Sequence, residues 1–144
     1  MANFPHHYWR IVLLLVLTGC GRGYNGPERA SISGRISLDG QAIETGTIEF
    51  LPTAETAGPT AGAKISGGLY EIAEKQGPVL GRYQVRIHAH GKTGRKISPG
   101  SLEAAGTMID EIGEIIPSKF NEKTTLERDV VAGKNQIDFE LNSN

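Results

Sequence analysis

Two imidazoles, His88 and His90 in the run Arg82 to His90 (RYQVRIHAH), are the side chains of this chain best spaced for chemistry. Side chains alternate along an extended strand, so both leave the same face, where neutral ring nitrogens can hold a transition metal. Two ligands fall short of a site. A third would have to come from Glu71, Glu74, Asp110, Glu111 or Glu114 if the fold brought one near. The competing reading leaves both histidines on a solvated face with Gln84 and Arg86, while Tyr83, Val85, Ile87 and Ala89 turn inward.

Other chemistries find less support. Serines and threonines are scattered among turns, where their hydroxyls bond local backbone, and no G-x-S-x-G elbow is present. Residues 57–62 (AGPTAG) carry glycines without the lysine and strand-to-helix context of a phosphate loop. Lys92, Arg95 and Lys96 form a small basic cluster that could meet an anionic polymer or lipid headgroups, or simply be solvated. Lys and Arg total 15 against 16 Asp and Glu, so no field of one sign recruits nucleic acid. No cofactor motif is found, and none is expected.

The one cysteine, Cys20, stands at the foot of an apolar run, Ile11 to Leu17, preceded by Arg10. Seven helical residues rise only ~10 Å against a hydrocarbon core of ~30 Å, too short to span a bilayer. A run apolar on every side also suits a small domain's interior poorly. A positive residue, an apolar stretch and then small residues together read as an export signal. Leu17-Thr18-Gly19-Cys20 resembles the lipobox of bacterial lipoprotein signals. That resemblance implies acylation of the Cys20 sulfur by a diacylglyceryl group and cleavage between Gly19 and Cys20. Residues 1–19 are then a signal peptide and residues 20–30 a flexible, glycine-rich spacer. The mature domain would hold no free thiol, which suits an oxidising compartment.

From Ser31 onward the pattern has period two. Ile32, Gly34, Ile36 and Leu38 share a face before the Asp39-Gly40 turn, and Ile48 and Phe50 alternate with Thr47 and Glu49. Ala61 to Ile65 and Leu69 to Ile72 flank a Ser66-Gly67-Gly68 hairpin tip. Arg82 to His90, Thr125 to Val131 and Gln136 to Leu141, with Ile137, Phe139 and Leu141 inward, complete seven strands. The expectation is an all-β domain over 31–141, a seven-stranded antiparallel β-sandwich of prealbumin or Ig type, with a short tail at 142–144. Residues 91–117 interrupt the alternation as a long loop. Ile109, Ile112 and Ile116 there have helical spacing, while 112–116 fits an edge strand equally well.

The order of segments resembles the carboxypeptidase-regulatory-like and transthyretin-like families. It is carried by SGRISLDGQAIETGTIEF at 33–50, GLYEI at 68–72 and PVLGRYQVRI at 78–87. Residues 116–121 (IPSKFN), Thr125-Leu126 and the closing strand resemble the C-terminal part of small bacterial envelope lipoproteins carrying this domain. The resemblance implies a prealbumin-like module that binds, spaces or stabilises and does not catalyse. His88-Ala89-His90 is also similar to the His-x-His of intradiol dioxygenases, which implies tyrosine partners such as Tyr70 and Tyr83. Alternation turns Tyr83 away from both histidines. Transthyretin-related hydroxyisourate hydrolases end in Tyr-Arg-Gly-Ser, whereas this chain ends FELNSN.

The sequence thus leads to a non-enzymatic lipoprotein of the cell envelope, anchored to the membrane through Cys20 and facing an extracytoplasmic compartment. Its partner would be an envelope protein or polymer and not nucleic acid. The alternative is a metal-binding protein or metalloenzyme centred on His88 and His90.

Overall fold

The computed structural model describes residues 26–99 and 106–144. The apolar run, Gly19, Cys20 and the first half of the spacer lie outside them. Among the described residues the fold is all-β, with two short 3-10 turns at Glu74–Gln76 and Ser118–Phe120 and no α-helix. Among the described residues no helix is long and apolar enough to cross a membrane.

The strands are β1 (Ser31–Leu38), β2 (Gln41–Ala42), β3 (Thr45–Pro52), β4 (Ala61–Ser66), β5 (Leu69–Ile72), β6 (Gly81–His88), β7 (His90–Ile97), β8 (Ile109–Glu114), β9 (Glu127–Val130), β10 (Lys134–Gln136) and β11 (Phe139–Leu141). One curled sheet runs in the order β10-β1-β5-β4-β3-β6-β9, with β2 and β11 also paired to β1, and β7 and β8 form a separate two-stranded sheet. β4 and β5 share a single register pair, Ser66 with Leu69, beside their hairpin. There Gly67 and Gly68 both take positive φ, 55° and 76°, the requirement of a tight hairpin turn that splays neither strand.

Curling encloses one core. Ile32, Ile36, Tyr70, Ile72, Phe139 and Leu141 from one arm meet Ile48, Phe50, Ile65, Tyr83, Val85, Ile87 and Val130 from the other. Aromatic rings link the arms, with Phe50 centred 6.3 Å from Tyr70 and 6.4 Å from Tyr83, and Tyr70 6.4 Å from Phe139. Offset and edge contacts at such spacings add to simple area burial.

The C-terminal strand departs from the expected antiparallel pattern. β9 ends beside Gly81, at the end of the sheet where β1 begins, so the turn after Val130 delivers β10 alongside β1 in the same direction. β10 and β11 are accordingly parallel to β1. They are two short strands instead of the one expected over Gln136 to Leu141, because Asp138 replaces a ladder bond: its Oδ1 accepts from the Arg35 N–H at 2.8 Å. The Ile137 carbonyl accepts from the Tyr70 hydroxyl at 2.7 Å and presses on Gly34, where a Cβ would sit 1.9 Å from it. Ile137 is only half-buried, and Asn135 takes an inner position instead. Ordered packing starts ahead of Ser31, since Ala30 is fully buried and Arg29 bridges Val79.

The largest departure lies in residues 91–117. Within it, residues up to Ile97 belong to β7 and Ile109–Glu114 form β8, and the two strands pair as a ribbon, so that of the two readings of the later half the strand holds, beginning at Ile109 and not at Ile112. β7 follows β6 after one residue, Ala89, so the chain runs straight out of the curled sheet into the ribbon.

Candidate functional site

Directions follow from the pairings. Each step from β1 through β5, β4 and β3 to β6 is antiparallel, so β1 and β6 run the same way. The chain enters at the start of β1, where the Ala30 N–H donates to the Pro78 carbonyl at 3.0 Å, close to the start of β6. The ribbon leaves from the end of β6, eight residues away. At ~3.3 Å per residue the two points stand on the order of 25 Å apart, on opposite ends of the sheet.

The ribbon buries no residue in either strand. It therefore adds nothing to the hydrophobic core and is held by its own ladder and by ion pairs. Asp110 lies between two lysines, 2.7 Å from Lys92 Nζ and 2.5 Å from Lys96 Nζ. On the other face Glu111 Oε2 accepts from Thr93 Oγ1 at 2.5 Å and Arg95 Nε at 2.7 Å. The lysine hydrogen bonds hold the Asp110 carboxyl below its ordinary value, and the Thr93 hydroxyl, helped by Arg95, does the same for Glu111 against partial desolvation. Between Lys92 and Lys96 the register slips, and Gly94 sits at φ 82°. This bulge, pinned by Glu111, bends β7 and spoils its outer edge. Lys92, Arg95 and Lys96 thus each pair with a carboxylate across the ribbon while staying largely exposed to solvent.

At the root stands a clasp that the sequence does not announce. Glu114 Oε1 accepts from the backbone N–H of Ala89 at 3.0 Å and of Ile116 at 2.9 Å, while Oε2 lies 2.8 Å from His88 Nδ1. One carboxylate so joins the outgoing chain at Ala89 to the returning chain at Ile116. Partial burial pushes the Glu114 carboxyl up, but the two amides and His88 outweigh it and leave it below the usual value. Three donors on one carboxylate make it a structural anion in place of a free base.

His88 and His90 straddle the break at Ala89. His88 is half-buried against Glu114, whereas His90 is exposed and lines a cleft of about 250 Å3 with Leu38, Ile43, Glu44 and Ile115. Of the proposed third ligands the fold brings Glu114 to His88. Asp110 and Glu111 lie along the ribbon with cationic partners, and Glu71 is on β5, paired with Ser33 of β1. Among the described residues no group of three His, Cys, Asp or Glu is placed to hold a metal ion. Tyr83 points into the core, its hydroxyl donating to the Val79 carbonyl at 3.0 Å, and Tyr70 is engaged by Ile137.

The segment after Ile116 is structural. Asn121 Nδ2 donates to the Ile116 carbonyl at 3.0 Å, and Thr124 Oγ1 donates to the Val85 carbonyl at 2.6 Å. Both residues are buried, so IPSKFNEKTT is a folded return path from ribbon to β9. Its side-chain bonds take over from the ladder there, which is why β9 begins at Glu127 and not at Thr125. No family model matches the chain, and neither a curated protein nor a solved structure matches it.

Proposed function

We propose that this protein is a non-catalytic module tethered to a membrane through an acylated Cys20, and that its β7–β8 ribbon is the part offered to a partner. The observation that carries this reading is positional: a ribbon of fourteen residues with none buried leaves the sheet at the end opposite the chain's entry. A tether from Cys20 reaches the domain within ten residues, at Arg29. Taken as the flexible, glycine-rich spacer that its sequence implies, this stretch would span roughly 15–20 Å, enough to hold the entry end near the lipid and turn the ribbon outward. Two acyl chains would make that attachment stable where one would not.

In this reading the curled sheet is the prealbumin-like sandwich implied by the family resemblance. The near-separation of its arms at Ser66 and Leu69, with a shared core between them, supports that assignment. A docking ribbon on a rigid β-scaffold needs no catalytic constellation, and the ribbon's carboxylates and bases already neutralise one another. The test is fractionation of cells expressing the full chain. Wild-type protein should sediment with membranes and Cys20→Ser should not be acylated or tightly membrane-bound. Equal membrane association of the two would overturn the tether.

A further inference from the structure

Strands β1, β5 and β4 carry a trough on their outer face, away from the ribbon. β5 turns Tyr70 and Ile72 into the core, so Leu69 and Glu71 face solvent, and the register sets them beside Arg35 and Ser33 of β1. Ser66 of β4 pairs with Leu69 on its other side. One row across the three strands therefore reads Arg35, Leu69, Ser66, and the next begins Ser33, Glu71. Lys64, the next outward residue of β4, completes that second row at a distance, because β4 and β5 share only the pair Ser66 with Leu69 and then part. The parting opens a cleft of about 440 Å3, bounded beyond β1 by Gln136 of β10.

Main-chain groups also turn into it. The Arg35 N–H donates away from β5, to Asp138, and the Ile36 N–H donates to the Gly68 carbonyl at 2.8 Å. Gly34 and Tyr70 thus bond one another, and by antiparallel alternation Glu71 turns its N–H and C=O toward the parting.

The charges here differ from those of the ribbon. Among the described residues the Arg35 guanidinium, the Lys64 ammonium and the Glu71 carboxylate enter no ion pair and no side-chain hydrogen bond. Arg35 and Lys64 stand two strand spacings and two residues apart, about 12 Å between Cα atoms, with Glu71 one strand from each. From Arg35 to Lys64 the signs run positive, negative, positive, beside Leu69, which is 56% exposed. A polyanion charged on every unit would set one of its anions against Glu71. An added peptide strand would need the β4 edge, where Lys64 discourages it. Acidic sugars separated by a neutral one meet all three charges.

We infer that this trough binds a polysaccharide in which carboxylate-bearing sugars alternate with uncharged ones. Two carboxylates reach Arg35 and Lys64, and hydroxyls of the sugar between them donate to Glu71 while its apolar ring face lies on Leu69. Ser33, Ser66 and Gln136 supply further hydrogen bonds at the rim. The site stands apart from both the ribbon and the Cys20 tether.

The test is calorimetric titration of the full chain in detergent with a hyaluronan hexasaccharide, glucuronate alternating with N-acetylglucosamine. It should bind, more weakly as salt rises, and more tightly than free glucuronate, which meets one cation at a time. A neutral N-acetylglucosamine hexamer, an oligogalacturonate with an acid on every unit and poly-glutamate should each bind more weakly. Arg35→Gln and Lys64→Gln should each lower affinity by about threefold to tenfold, while Lys96→Gln in the ribbon should leave it unchanged. Glu71→Gln should weaken the alternating glycan and tighten oligogalacturonate, a reversal that general charge attraction does not produce. Absence of binding, a neutral glycan, oligogalacturonate or poly-glutamate binding as well as the alternating one, free glucuronate matching the hexasaccharide, full affinity in folded Arg35→Gln and Lys64→Gln variants, equal loss in Lys96→Gln, or no reversal in Glu71→Gln would each overturn the inference.

Discussion

Glu114 gives the sharpest test of how the ribbon is held. Replacing it by alanine leaves the N–H groups of Ala89 and Ile116 without an acceptor and frees His88. A wholly buried orphan amide costs about 1–3 kcal/mol, and these are only part-buried, so together they cost about 2 kcal/mol, with up to about 1 more from the half-exposed His88 contact. Opening of the ribbon root should therefore be favoured by about 2–3 kcal/mol, which speeds amide exchange at Ala89 and Ile116 by about 30- to 150-fold. Glutamine is the telling comparison. Both amides use the same oxygen, Oε1, so Glu114→Gln can keep them and lose only the charge toward His88. It should cost under about 1 kcal/mol. The pH dependence has a definite sign: the folded-state value of Glu114 is lowered, so its stabilisation is present above the ordinary carboxylate value and is lost as pH falls through the lowered one. Acid should loosen the root in the wild type and do so less in Glu114→Gln. Equal damage from alanine and glutamine, or unchanged exchange at Ala89 and Ile116 in Glu114→Ala, would refute the clasp.

Two further outcomes follow from the geometry. Gly34→Ala should lower stability by about 3 kcal/mol or more in urea unfolding, since its Cβ collides with the Ile137 backbone and not with a side chain that could swing aside. Elemental analysis of purified protein should find no stoichiometric metal, and His88→Ala should leave that unchanged. A metal lost on that substitution would return His88 and His90 to the centre of the function.

The alternation of β1, β3 and β6 is legible because each of these strands buries one face and wets the other: Ile48 and Phe50 are buried and Thr47 is exposed. The ribbon is not legible by that route, because neither of its faces is buried. Ile109 and Ile112 stand on opposite faces of β8 while Ile116 belongs to the core, and that succession imitates a helical stripe. The break between β10 and β11 is equally hidden, since Ile137, Phe139 and Leu141 alternate well enough for one strand. Only the long-range bonds of Asp138 to Arg35 and of Tyr70 to Ile137 interrupt it. Glu114 could be named from the sequence as a partner for His88, but its hold on two backbone amides comes from the fold alone.

The tether remains the premise on which the ribbon's outward placement depends, and the intact mass of protein extracted from membranes tests it most directly. The mass should correspond to a chain beginning at Cys20, carrying a diacylglyceryl group with or without a further acyl chain. A chain beginning at Met1 with an unmodified thiol would contradict it.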